Sequence, residues 1–145
     1  MKNLLTIGLL SFLVVGCVGQ ESNSNFSNAK SASKEAVSIV LAEYFKNGIS
    51  GLIGISKECY ESMDLNNTGC VAIDVAAHVW DFNMANFLKF PKEEYFSVDN
   101  INSRAEDYFR SKGVKVVLKD YMEDLMRESY ARIPIEWENQ KHNFE

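Results

Sequence analysis

Residues 70–89, CVAIDVAAHVWDFNMANFLK, decide the fold of this chain. The stretch contains neither proline nor glycine, and Ile73, Ala76, Ala77, Trp80, Met84, Phe87 and Leu88 recur along one helical stripe. Val75, Val79 and Phe82 carry apolar character around a second side. A helix apolar over so much of its circumference belongs at the centre of a bundle. The turn formers of residues 64–69, DLNNTG, separate it from what precedes, and Phe90-Pro91 closes it.

Working toward the N-terminus, the spacing predicts a helix over residues 49–63 with Ile49, Leu52, Ile53, Tyr60 and Met63 inward. Gly51 and Gly54 weaken it by about 1 kcal/mol each relative to alanine. Before it, Ser33 is placed to cap a helix whose buried face is Val37, Val40, Leu41, Tyr44 and Phe45, ended by Gly48. Toward the C-terminus, Asp99 is placed to cap a short helix through Ile101, Ala105, Tyr108 and Phe109, closed by Gly113. Val114-Lys115-Val116-Val117 has the alternation of a strand, but no second strand is evident to pair with it. The favoured reading is a last helix over residues 116–132, with Leu118, Tyr121, Met122 and Leu125 inward and Pro134 ending it. Residues 136–145 then form a loosely held polar tail despite Trp137. The expected fold is an all-α bundle of about four to five helices over residues 33–135.

Composition limits the function. The 145 residues suit one domain, and 46% hydrophobic with 24% charged residues describe a globular chain. A formal net charge of −5, with no clustered run of lysine and arginine, argues against a nucleic-acid binder.

The N-terminus reads as a targeting segment. Lys2 supplies the positive start, residues 4–15 form a nearly unbroken apolar run too short to span a bilayer, and Gly16 follows. Val14-Val15-Gly16-Cys17 resembles the lipobox of bacterial lipoproteins, with Val14 where that pattern favours leucine; an ordinary secretory signal cut nearby is the alternative. The resemblance implies cleavage after residue 16 and lipid on Cys17. The membrane partner is then reached through that lipid, and two or more acyl chains anchor stably where one does not. Val18 rather than aspartate after the cysteine suggests, by resemblance to sorting in enteric bacteria, the outer membrane and a periplasm-facing protein. Removing residues 1–16 takes away one lysine and no acid, leaving 14 basic and 20 acidic residues and a formal charge of −6. The polar residues 17–32 read as a flexible tether.

With Cys17 assigned to lipid, Cys59 and Cys70 remain as an even pair in an exported chain. A disulfide is the favoured reading, and two reduced buried thiols are the alternative. Asp74, His78 and Asp81 fall at i, i+4 and i+7 of the central helix. An imidazole beside carboxylates can serve as a base or metal ligand, yet such pairs arise readily as helix-stabilising neighbours. His142, in the tail, is not assigned as their partner. The aromatic doublets Tyr44-Phe45, Tyr95-Phe96 and Tyr108-Phe109 read as core. Neither GxSxG, HExxH, a phosphate-binding loop nor GxGxxG is present, and no cofactor is expected. The sequence points first to a lipid-anchored, non-enzymatic envelope binding protein, such as a periplasmic inhibitor or immunity protein. A structural or assembly lipoprotein with an envelope protein partner is the second reading, and a small metal-binding enzyme using Asp74, His78 and Asp81 the third.

Overall fold

A computed structural model describes residues 21–62, 69–111, 113 and 118–143, with side chains for residues 28–142 within those ranges. Every regular element among them is helical, so the chain is a small all-α bundle. The order is α1 (Glu21–Glu61), α2 (Gly69–Leu88), a 3₁₀ turn (Glu94–Phe96), α3 (Val98–Ser111), α4 (Leu118–Gln140) and a closing 3₁₀ turn (Lys141–Asn143).

Gly48 breaks α1 in two. Its φ of 65° with ψ of −158° is the mirror image of extended backbone, a conformation open essentially only to glycine. The side-chain contacts give the direction of each arm. In the first arm, residues 21–47, the Ser33 hydroxyl donates to the Leu125 carbonyl at 3.4 Å, and the Phe45 ring lies 4.8 Å from Trp137 and 6.3 Å from Trp80. In the second arm, residues 49–61, Ser56 meets Asp74 and Cys59 is joined to Cys70 with the Cα atoms 5.5 Å apart. The first arm therefore runs beside α4 toward the Trp80 level, and the second returns antiparallel to α2 toward the disulfide. Gly51 lets the two arms approach at the bend, since a Cβ there would lie 2.6 Å from Asn47 Cβ and would also strike the Glu43 carboxylate.

α2 occupies the middle. All seven residues from Val71 to Ala77 are buried, followed by Val79 and Trp80, which accounts for its all-round apolar sequence. At its level the two tryptophans stack, 5.5 Å apart with an interplanar angle of 29°, and Tyr44 packs edge-on to Trp80 at 5.2 Å. The cluster joins the first arm of α1, α2 and α4. α3 is held by a thinner apolar face, Ile101, Ala105 and Phe109. Burying side chains such as Ile101 and Phe109 contributes about 1.5–3 kcal/mol each, so polar contacts carry a share of its attachment.

The structure moves several expected boundaries. Helix begins at Glu21 rather than at a Ser33 cap, and Ala29 and Ser33 are buried, so the latter part of the expected tether belongs to the bundle. Pro134 does not end α4 but lies inside it. The proline removes one rung of the helical ladder, facing the Tyr130 carbonyl, and burial of Ile133 with the packing of Trp137 offsets that cost. The start of the expected polar tail is accordingly helical, with Gln140 donating to the Ser38 hydroxyl at 3.1 Å. Ser97, not Asp99, caps α3: its hydroxyl accepts from Asn100 N–H at 3.4 Å and its carbonyl from Ile101 N–H at 3.0 Å. α2 ends at Leu88, where Lys89 takes a left-handed φ of 61°. Phe87 and Leu88 lie outside the core, Phe87 being 80% exposed, because the elements that enclose the first half of α2 do not extend over its end. Met63, residues 114–117 and the whole segment through Cys17 lie outside the described residues.

Candidate functional site

The polar stripe of α2 is where chemistry was expected, and its three members have separate partners. Asp74 is completely buried. Its carboxylate accepts from Ser56 Oγ at 2.5 Å, from Tyr60 Oη at 3.2 Å and from Arg104 Nε at 2.8 Å. Tyr95 extends the network: its hydroxyl lies 3.0 Å from Ser56 Oγ, its carbonyl accepts from Arg104 Nη2 at 3.0 Å, and its ring lies 4.0 Å beneath the guanidinium. With the Ser56 hydrogen committed to Asp74, Tyr95 donates to Ser56, forming a relay of hydroxyls ending on the carboxylate. Burial raises Asp74 above the usual carboxylate range, while the hydrogen bonds from Arg104 and Ser56 pull it back. Burial, then the charge of Asp74, pushes the Tyr60 phenol far above its ordinary range.

One turn on, His78 Nδ1 lies 2.7 Å from the Phe96 carbonyl oxygen. The carbonyl can only accept, so Nδ1 carries the hydrogen in this contact. Asp81 accepts from the Glu93 backbone N–H at 2.9 Å. Burial raises this carboxyl above its usual range against the opposing effect of the Glu93 hydrogen bond. Asp74, His78 and Asp81 thus clamp three successive points of the following chain, Arg104, Phe96 and Glu93, onto α2. Helical spacing matches them to a returning segment rather than to one another. Among the described residues no group of three His, Cys, Asp or Glu side chains is arranged to hold a metal ion.

Outward from these clamps the surface opens. A cavity of about 420 Å³ is bounded by His78, Asp81 and Phe82 of α2, the chain from Lys92 to Val98, and Tyr130 of α4. The Lys92 ammonium sits 3.8 Å over the Phe82 ring. A second cavity, of about 360 Å³, continues from Val98 between α3 and α4, past Met122 and Met126 to Leu118. Beyond the first, at the end of α2, Phe87 and Phe90 are 80% and 66% exposed. The disulfide closes the opposite end, joining the cysteines expected to pair. Cys17, the expected lipid site, and its surroundings lie outside the described residues; among those described, no helix is long and apolar enough to cross a membrane.

Sequence reasoning did not find Ser56, Tyr60 or Arg104 as partners of Asp74, or Tyr95 as the residue that holds Ser56 and Arg104. The signal available was chemical: an aspartate in the most apolar stretch of the chain requires a cation, and Arg104 stands on α3 beside the buried Ala105. The open surface of α4 was also missed: Met126 and Tyr130 were assigned to no face, because periodicity along one helix does not show where its neighbours leave a gap.

Comparison with protein-family models, curated proteins and solved structures gives no match.

Proposed function

We propose that this chain is a lipid-anchored binding protein of the bacterial cell envelope, held through Cys17 and engaging a periplasmic protein with the side and far end of its helical bundle. The observation that carries the reading is the open apolar surface formed by Phe82, Val98, Met126 and Tyr130; Phe87 and Phe90 are exposed separately at the end of α2. Contiguous exposed apolar surface rimmed by polar groups marks an interaction site.

An anchor on Cys17 would set the orientation of the bundle. Cys17 precedes Glu21 by four residues, a span of at most about 14 Å, so lipid on Cys17 leaves the membrane close to the start of α1. The first arm then rises roughly 40 Å to Gly48. Ser33, near Leu125, lies toward the disulfide end, and the end of α2 lies at the other. An anchor on Cys17 would therefore leave the exposed phenylalanines at the far end of the bundle, facing the periplasm.

Incorporating a photocrosslinking residue at Phe90 or Met126, with Lys34 as the control position, tests the binding half in living cells. One protein captured from both surface positions and not from Lys34 supports the reading; equal labelling from all three overturns it. An inhibitor or immunity role is then separated from an assembly role by whether the captured protein has an activity that the bound chain suppresses. The anchor is tested separately: wild type should carry lipid on an N-terminal Cys17, and a Cys17→Ser chain that stays processed and membrane-bound removes that half of the proposal.

A further inference from the structure

We infer that the groove between α3 and α4 receives a basic amphipathic helix from the protein partner. The inference rests on the binding role above and adds the chemistry of what is bound.

α3 packs on α2 and the 3₁₀ turn, whereas α4 packs on α1 and α2. The two are joined by the edge-on contact of Phe109 with Tyr121, 5.9 Å between ring centres. Away from that contact a cavity lies between them, and at Val98 it meets the second cavity, which is bounded by α2, the chain from Lys92 to Val98 and Tyr130. The walls have helical period: Val98, Asn102 and Glu106 at every fourth position of α3, and Leu118, Met122, Met126 and Tyr130 at every fourth position of α4. From Leu118 to Tyr130 the wall is roughly 18 Å long, enough to face about three turns of a third helix. Two of the four apolar residues lining the cavity between α3 and α4 are methionines, Met122 and Met126, whose unbranched side chains repack around an incoming surface. A helix laid in such a groove is read through anchors at i, i+3, i+4 and i+7.

Charge selects among the occupants. Asp81, Glu93, Glu94, Glu106 and Glu123 line the two cavities, against Lys92 and Lys119. Both lysines have local partners: Lys92 lies over Phe82, and Lys119 is 3.8 Å from Glu123. Five acids against two lysines leave the combined lining net negative, most of it around the cavity beside α2. It favours a partner with lysine or arginine flanking its apolar stripe and disfavours an anionic bilayer or an acidic second copy of this chain.

The test uses the whole chain purified from the envelope in detergent, and a display library of helical peptides selected against it. Enriched peptides should share an apolar i, i+4, i+7 stripe and net positive charge. Their affinity should fall about tenfold or more on Met126→Glu and on the double change Glu106→Lys with Glu123→Lys. Lys34→Glu, on the other side of the bundle, should leave it unchanged. Thermal melts establish that each variant is folded, and Met126→Gln replaces Met126→Glu if the latter is not. Acidic or non-helical winners, or affinity indifferent to both groove variants, overturn the inference. So does a homodimer, or binding to anionic phosphatidylglycerol vesicles, that the groove variants abolish. In-cell capture from Met126 with no basic helical peptide selected removes this inference alone. Basic helices bound in the groove, with equal labelling from all crosslinking positions in cells, remove the binding role instead.

Discussion

Asp74 has no contact with solvent, and three donors from two other elements converge on it. Removing one partner of such a buried pair costs more than the pair contributes, because the remaining charge is left uncompensated. Arg104→Ala should therefore destabilise the fold by about 3–5 kcal/mol at neutral pH, read from urea unfolding. The pH dependence has a definite sign. Burial already raises Asp74 above its unfolded value, so as pH falls the folded chain takes up this proton before the unfolded chain does. The contribution of Asp74 to stability thus declines as pH rises between the ordinary carboxylate value and the raised one. Without Arg104 that value rises further, and the deficit of the variant should shrink in acid; a deficit independent of pH would contradict this account. Ser129 is the opposite case. Its hydroxyl is buried with no hydrogen-bond partner among the described residues, so Ser129→Ala should raise stability by about 1 kcal/mol in the same assay. The sequence made Asp74 conspicuous and its chemistry called for a cation, but Arg104 is thirty positions away and no local spacing connects the two. Its neighbours in α2 suggested His78 and Asp81, which turn to Phe96 and Glu93 instead.

Helices were the most legible part of this chain, and their connections the least. The apolar stripe at residues 70–89 located α2 to within a residue at each end, and Ile101, Ala105 and Phe109 located the buried face of α3. What failed was the use of single residues as punctuation. Pro134 read as a stop, but the packing of Ile133 and Trp137 carries α4 through it. Gly48 was read correctly as a break, yet nothing local states that the chain turns back there; that follows from Phe45 meeting Trp137 while Cys59 meets Cys70. The glycines of α1 make this testable at the scale of the element. Gly48→Ala must adopt a backbone conformation costing about 1–3 kcal/mol and should lower stability by that amount. Gly54 is in regular helix with open space around its Cβ position, so Gly54→Ala should raise stability by up to about 1 kcal/mol. Equal effects at the two sites would remove the argument for a bend that requires glycine. Phe87 and Leu88 were misread for a related reason: periodicity identifies a face, but not whether the neighbouring elements are long enough to cover it.

At the scale of the whole molecule, the bundle has one end closed by a covalent link and another end and side that remain open. The Cys59–Cys70 bridge joins the second arm of α1 to α2 across eleven positions, a closure contributing about 3 kcal/mol in the chain-entropy model. Reduction should lower the urea midpoint by an equivalent amount, and a Cys59→Ser, Cys70→Ser chain should show the same loss with no further response to reductant. The open side carries the proposed partner surface, whose features were invisible in sequence because they depend on which helices leave a gap between them. α3 is attached by a thin apolar face and the clamps from α2, while α4 is tied to α1 and α2 through the aromatic cluster. That cluster has an optical consequence. The chain contains two tryptophans, and both are in it, stacked 5.5 Å apart. Indoles at this separation couple their transitions, so the pair should give an exciton feature in the ultraviolet dichroism that depends on α4 lying against α2. A ligand seated between α3 and α4 leaves that feature in place, whereas detachment of the last helix abolishes it. The native chain thus carries, without any attached dye, a spectroscopic signal that distinguishes occupation of the groove from opening of the bundle.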